Sequence, residues 1–264
     1  MNYFLGIDVG TGSARVGIFD ERGVLVRHAV EEIQTWKPKT NFVEQSSENI
    51  WQSICSCCHQ VIAETGIDIA TIKGVGFDAT CSLVLIDECG NPVSVDPDEE
   101  DAKNIIVWMD HRAIEETNLI NSFKEFYSAF DFVGGRISPE MQLPKLLWLK
   151  KYLPKSWKRA AHFFDLPDHL TFRATGSSVR SLCSLSCKWT FDKNSEGDSG
   201  WDVNLFKAIG LDDLSKDAFE SIGRSDLVRL MGQPIGQGLS ENSAKEMGLL
   251  KGTPVGVSII DAHA

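Results

Sequence analysis

Leu5-Gly6-Ile7-Asp8-Val9-Gly10-Thr11-Gly12-Ser13-Ala14-Arg15-Val16-Gly17-Ile18-Phe19-Asp20 reads as two strands joined by a tight turn. Apolar residues lead into Asp8, and Ala14, Val16 and Ile18 alternate with Arg15 and Gly17 on the way out. Gly10 and Gly12 are expected to take the positive φ angles that such a turn demands. With no Cβ on either, an anion can approach the bare N–H groups, and Thr11, Ser13 and Arg15 add side-chain donors for anionic oxygens. Asp8, just before the turn, would then face Mg²⁺ rather than the anion. A purely structural hairpin accounts for the glycines. It does not account for a carboxylate, two hydroxyls and a guanidinium packed around them. A dinucleotide fingerprint is excluded, since it needs a third glycine where Arg15 stands, and no G-x-x-x-x-G-K-[ST] loop occurs in the chain.

The chain has 264 residues, 42% hydrophobic and 24% charged, enough to bury a sizeable core in one globular domain. A net charge of −11 and a pI near 5.0 argue against a nucleic-acid or anionic-membrane surface. Any nucleotide would have to arrive with its metal. No apolar run reaches the ~18 residues of a membrane span, and the amino terminus lacks a basic segment followed by an apolar one, which points to the cytosol. The seven cysteines are odd in number and sit mostly in apolar patterns rather than in paired C-x-x-C spacings, Cys55, Cys57 and Cys58 being the nearest thing to a cluster, so neither a disulfide framework nor a zinc site is expected. Trp51, Ile54, Cys55, Cys58 and Ile62 fall at helical spacing and read as the core face of a helix capped by Ser46 or Ser47 and closed by Gly66.

Further along, Val24 to Val30 reads as a third strand. Ile72 to Phe77 is a buried-looking strand that delivers Asp78-Ala79-Thr80 at its carboxyl end, where open α/β sheets gather their ligands; a turn capped by Asp78 and Thr80 is an equal reading. Asp96-Pro97-Asp98-Glu99-Glu100-Asp101 reads as a solvated acidic loop. Ile105 to Trp108 is a short apolar strand leading to Asp110 and Arg112, which either contact ligand hydroxyls or only cap the helix that follows. His111 reads as structural. Helices are expected over Met141 to Leu153, after Phe163-Phe164-Asp165 up to Gly176, near Leu214 to Phe219, and over Ser243 to Leu250. Asn194 to Ser240 is otherwise polar and carries no functional signal. The strand Val255 to Ile260 delivers Asp261, suited on chemical grounds to accept a proton at a sheet edge; capping a following helix is the alternative.

The segment from Asp8 to Arg15 resembles the first phosphate motif of the FGGY carbohydrate kinases. The resemblance implies an α/β fold of the actin-like, ribonuclease H-like ATPase type, a mixed sheet flanked by helices. It also implies ATP and Mg²⁺ as cofactors, with Asp8 positioning the metal largely through water and Gly10, Thr11, Gly12, Ser13 and Arg15 meeting the β- and γ-phosphates. Phe42-Val43-Glu44-Gln45, Met141 to Leu153 and Phe163 to Gly176 look like segments of the same family. Asp261-Ala262-His263-Ala264 resembles the catalytic-base motif of ribulokinase-type members, where glycerol kinases have Gly-Asp-Gln and xylulokinases Gly-Asp-Asn. Asp78-Ala79-Thr80 departs from the Arg-Glu pair and the Met-His-Gly found at that place in those two groups. A lysine in a similar Cys-Lys-Trp setting reaches the sugar site in ribulokinase-type members, which points to Lys188.

The resemblance therefore implies phosphorylation of a pentulose, D-ribulose first, with Asp261 as base and Asp78, Ala79, Thr80, Asp110, Arg112, Lys188 and Asp261 toward the sugar. It also implies a second lobe, carrying the other phosphate loop and the adenosine site, that this chain lacks. The 264 residues alone are then expected to be inactive as a kinase, and the face toward the missing lobe could drive self-association. Two other readings remain, a non-catalytic sugar-binding module and an actin-like ATPase without sugar specificity.

Overall fold

The structure, a computed structural model, describes residues 1–193 and 200–264. Strands β1 (Tyr3–Val9), β2 (Ser13–Asp20) and β3 (Leu25–Glu32) form an antiparallel meander in which Asp8 stands opposite Arg15. The β2–β3 turn uses Gly23 at φ +78°, with Asp20 accepting from the N–H groups of Arg22 and Val24. The β1–β2 turn differs from expectation, because neither Gly10 nor Gly12 lies at positive φ. It closes by a Gly10 N–H bond to the Ser13 carbonyl at 3.1 Å. A Cβ on Gly12 would meet nothing within 4 Å, and one on Gly10 would meet the Arg15 guanidinium no closer than 3.5 Å. These glycines leave the backbone uncovered; they are not required by its conformation.

Short strands β4 (Thr35–Trp36) and β5 (Glu44–Gln45) precede helix α1 (Ser47–Thr65). Ser46 caps α1 by accepting from the Asn49 N–H, and Gly66 ends it at φ +62°. Ile50, Trp51, Ile54, Cys57, Cys58 and Val61 are buried at helical spacing, with α1 lying on β2 and β3. Next come β6 (Ile72–Ala79), β7 (Leu83–Ile86), β8 (Ile105–Ile106), α2 (Ile114–Asn121), α3 (Gln142–Tyr152) and α4 (Pro154–Arg159). They are followed by β9 (His162–Asp165), α5 (Leu166–Thr175), β10 (Arg180–Ser181) and α6 (Leu182–Lys188). The last elements are α7 (Val203–Ala208), α8 (Asp213–Lys216), β11 (Val228–Arg229), α9 (Glu241–Met247) and β12 (Ile259–Ile260).

Among the described residues, the strands form two five-stranded sheets and a small pair. The first sheet is mixed, in the order β12-β6-β1-β2-β3, with β12, β6 and β1 parallel. The second, β4-β5-β8-β7-β9, is antiparallel throughout. Each sheet has its own apolar cluster, one around Ile7, Val16, Ile54 and Phe77, the other around Leu83, Ile106, Leu146 and Phe163. Helix α5 packs on β6, β7 and β9 and so joins the two.

Several elements are shorter than their sequence patterns suggest. The strand expected over 105–108 stops at Ile106, because the Trp108 N–H is taken by the Ser82 hydroxyl at 3.0 Å. The strand expected over 255–260 is regular only at Ile259–Ile260; Val255 makes a single bridge to Val75, and the Val257 N–H turns to the Gln233 carbonyl. Helix α8 ends at Lys216, before Ala218 and Phe219 at positive φ. The acidic loop is not wholly solvated, since Asp96 is buried and paired with Lys103 at 2.8 Å. Within the polar stretch that begins at Asn194, residues 194–199 lie outside the described residues. Among the described residues, no helix is long and apolar enough to cross a membrane.

Candidate active site

Parallel register brings three carboxylates to one end of the first sheet. Asp8 and Asp78 are partners across β1 and β6, while Ile259 and Ile260 pair with Asp78 and Ala79, so that Asp261 emerges beside them. Parallel strands end on the same side, and short polar side chains just past those ends share one crevice. All three line a single cleft of about 1060 Å³. The Arg15 guanidinium, across the hairpin, bonds Asp8 at 2.5 Å. Burial, together with the neighbouring Asp8 and Asp261 carboxylates, pushes the Asp78 carboxyl up to about 7. A cation bound beside these carboxylates would favour the ionised form of Asp78.

The glycine turn is held from behind by two side chains that sequence reasoning did not single out. Gln45 donates to the Thr11 carbonyl at 2.8 Å and to the Thr35 hydroxyl at 3.1 Å, and the Trp108 indole N–H donates to the Thr11 hydroxyl at 3.0 Å. The Thr80 N–H donates to the Val9 carbonyl, and the Thr80 and Ser82 hydroxyls bond each other at 3.0 Å. Gln45 ends the two-residue strand β5, and Trp108 follows β8 by two residues. Both have a polar reach that a strand core does not need.

The opposite wall carries Lys188, Cys81, Arg136, Glu140 and Met141. Lys188 is the last residue of α6, half-buried next to Cys81. Beneath it, Lys145 is fully buried on α3, donating to the Val107 carbonyl at 3.1 Å, and burial draws its ammonium down to about 8. Cys183, Cys187 and His263 also gather here, with the Cys183 sulfur 3.1 Å from His263 Nδ1. A hydrogen bond from Cys183 draws the Cys187 thiol down to about 7. Sequence spacing alone did not mark this group, whose histidine arrives from the turn after β12 and whose cysteines sit one turn apart on α6.

Not every expected residue reaches the cleft. Gly10, Thr11, Arg15, Asp78, Thr80, Lys188 and Asp261 line it; Gly12 and Ser13 complete the turn without doing so. Ala79 is fully buried within β6. Asp110 and Arg112 are a correction to the sugar-contact expectation, because both side chains are sealed from solvent. The Arg112 guanidinium forks onto Asp110, bonds Glu44 at 2.9 Å and the Val95 carbonyl at 2.9 Å, and packs over the rings of Phe42 and Trp148. Asp110 also accepts from the Val43 N–H at 2.6 Å. Every donor of that guanidinium faces protein, so the pair braces the second sheet.

The oxygen donors of Asp8 and Asp78, adjacent on neighbouring strands at the cleft floor, are those a hard cation such as Mg²⁺ prefers. Residues 3–264 match the FGGY family of carbohydrate kinases, N-terminal domain. The chain belongs to the FGGY family of carbohydrate kinases. It is 46% identical over 263 residues to the FGGY carbohydrate kinase domain-containing protein of Homo sapiens, covering 99% of this chain and 46% of that protein. It is 40% identical over 269 residues to a D-ribulokinase of Saccharomyces cerevisiae, covering 99% of this chain and 37% of that one. This FGGY chain thus spans less than half the length of those two relatives. Among solved structures, a ligand-bound xylulose kinase from Lactobacillus acidophilus superposes with a TM-score of 0.76 at 18% identity, over 100% of this chain and 49% of that one. The glycerol kinase of Plasmodium falciparum with ADP gives 0.73 at 19% identity, over 99% and 49%. At such identities the likeness concerns the fold, that of the FGGY sugar kinases, which is actin-like.

Proposed function

We propose that this chain forms the sugar-holding half of an ATP-dependent pentulose kinase, with D-ribulose as acceptor and D-ribulose 5-phosphate as product. The observation that carries the reading is the convergence of the Asp8 turn and Asp261 on one cleft, in a family of carbohydrate kinases and at 40% identity to a D-ribulokinase. Phosphoryl transfer through a loose transition state asks mainly for positioning and charge neutralisation. In this reading Asp261 orients the terminal hydroxyl of the sugar and takes its proton, while Thr80 and Lys188 flank the acceptor. The turn beyond Gly10, whose own N–H is closed onto the Ser13 carbonyl, receives the transferred phosphoryl oxygens together with Arg15. Asp8, with Asp78 beside it, would hold Mg²⁺, which would supply charge neutralisation for those oxygens. The adenosine site and the second phosphate loop belong to a further lobe, whose closure expels water.

The test is a phosphorylation assay of a two-lobe protein carrying this chain, across D-ribulose, L-ribulose, D-xylulose, L-xylulose, glycerol and ribitol. D-ribulose is expected to give the highest kcat/KM. Asp261→Asn is expected to lower kcat by about 10²–10⁴-fold, the range of general-base contributions. Near-normal turnover in that variant would remove Asp261 from the role.

A further inference from the structure

We infer that Cys183, Cys187 and His263 form a binding site for a soft or borderline divalent metal, Zn²⁺ foremost, at the mouth of the cleft. One ligand atom from each, two sulfurs and an imidazole nitrogen, all lie within 4.8 Å of one another. A tetrahedral zinc with Zn–S near 2.3 Å and Zn–N near 2.0 Å separates its ligand atoms by about 3.5–3.8 Å. The group is therefore drawn together already, and small side-chain movements complete it. Cys183 and Cys187 stand four residues apart on α6, so both sulfurs leave the same face of the helix. His263 meets that face from the turn after β12, already 3.1 Å from the Cys183 sulfur. Cys183 is buried, whereas Cys187 and His263 are exposed, which leaves an entry path from solvent.

The donor set decides the metal class. Two thiolates and an imidazole select zinc over Mg²⁺, so this site does not compete with the oxygen donors of Asp8 and Asp78 for the same ion. As each sulfur–metal bond forms, the thiol proton passes to solvent. Three protein ligands leave a fourth position for water, the open pattern of zinc sites that are not purely structural. The metal would tie α6 to the turn that carries Asp261, two residues from His263, and so fix one wall of the cleft to its floor.

The 264-residue chain, kept reduced with a phosphine rather than a thiol, is titrated with Co²⁺ as a spectroscopic probe and then with Zn²⁺. Intense thiolate-to-cobalt charge-transfer absorption, with the visible bands of tetrahedral cobalt, is expected and should be abolished by stoichiometric Zn²⁺. Cys187→Ser and His263→Ala change exposed side chains, so both variants should keep the parent circular dichroism. Each is expected to weaken Co²⁺ binding at least about tenfold, the loss that even outer partners of a metal produce. Cys89→Ser, at an exposed cysteine away from the cleft, should leave the spectrum unchanged. Absence of the charge-transfer band, or a band that survives in both Cys187→Ser and His263→Ala, overturns the assignment.

Discussion

Arg112, Asp110 and Glu44 form a buried cluster in which one guanidinium answers two carboxyls, and burial raises Glu44 above the usual carboxylate range. Arg112→Met removes the only positive charge bonded to that pair among the described residues. Breaking a buried ion pair on one side typically costs about 3–5 kcal/mol. Urea denaturation should show a loss of that size; unchanged stability with selective loss of sugar binding would return Arg112 to the ligand-contact role. Asp165 gives a test of pH dependence. Full burial, with nearby Asp168, pushes its carboxyl from 3.8 up to about 7, although it accepts from Gln142 and from the Trp189 indole at 2.6 Å. Because the folded state holds this proton more tightly than the unfolded chain, the contribution of Asp165 to stability is greatest at low pH. It declines as pH rises from about 4 to about 7 and is level above. In Asp165→Asn that decline is absent, so the Tm of the variant relative to the parent should rise between pH 5 and pH 8. A difference that stays constant across the range would contradict the assignment.

Among the elements, the β1–β2 hairpin separates two reasons for a glycine. If Gly12 served turn geometry, any side chain would strain it. Its φ is not positive and a Cβ there meets nothing within 4 Å, so Gly12→Ala is expected to leave the fold intact and to stabilise it by about 0.4–1 kcal/mol through the unfolded chain. The urea midpoint measures this, and a marked destabilisation would restore the geometric role. Much of the hairpin was legible from alternation, and the two ends of α1 from the Ser46 or Ser47 cap and the Gly66 stop, because these depend on residues within a turn or two; of the expected stripe, Trp51, Ile54 and Cys58 are buried while Cys55 and Ile62 are only half-buried. The short strands β8 and β12 were not read at their true length. Their apolar runs extend further, but the Trp108 N–H after β8 bonds Ser82 and the Val257 N–H before β12 bonds Gln233, partners supplied by distant parts of the chain.

At the scale of the molecule, the cleft lies where the parallel edge of the first sheet ends, and residues at the start of α3 and the end of α6 contribute to its opposite wall. In the proposed reading a further lobe completes that cleft, so the 264-residue chain alone is expected to show no kinase turnover and weak ATP affinity. Robust phosphorylation by the isolated chain would refute this. The amino-acid sequence by itself determined the anion-ready chemistry of the turn after Asp8, the polar residues at the strand ends, the helix boundaries set by caps, and the family. Only the tertiary structure decided that Asp8, Asp78 and Asp261 share one floor, that Asp110 and Arg112 are sealed away from it, and that two cysteines meet a histidine beside it. The physical reason is that local chemistry is written by near neighbours in sequence, whereas strand register and side-chain burial are set by packing between segments far apart in the chain.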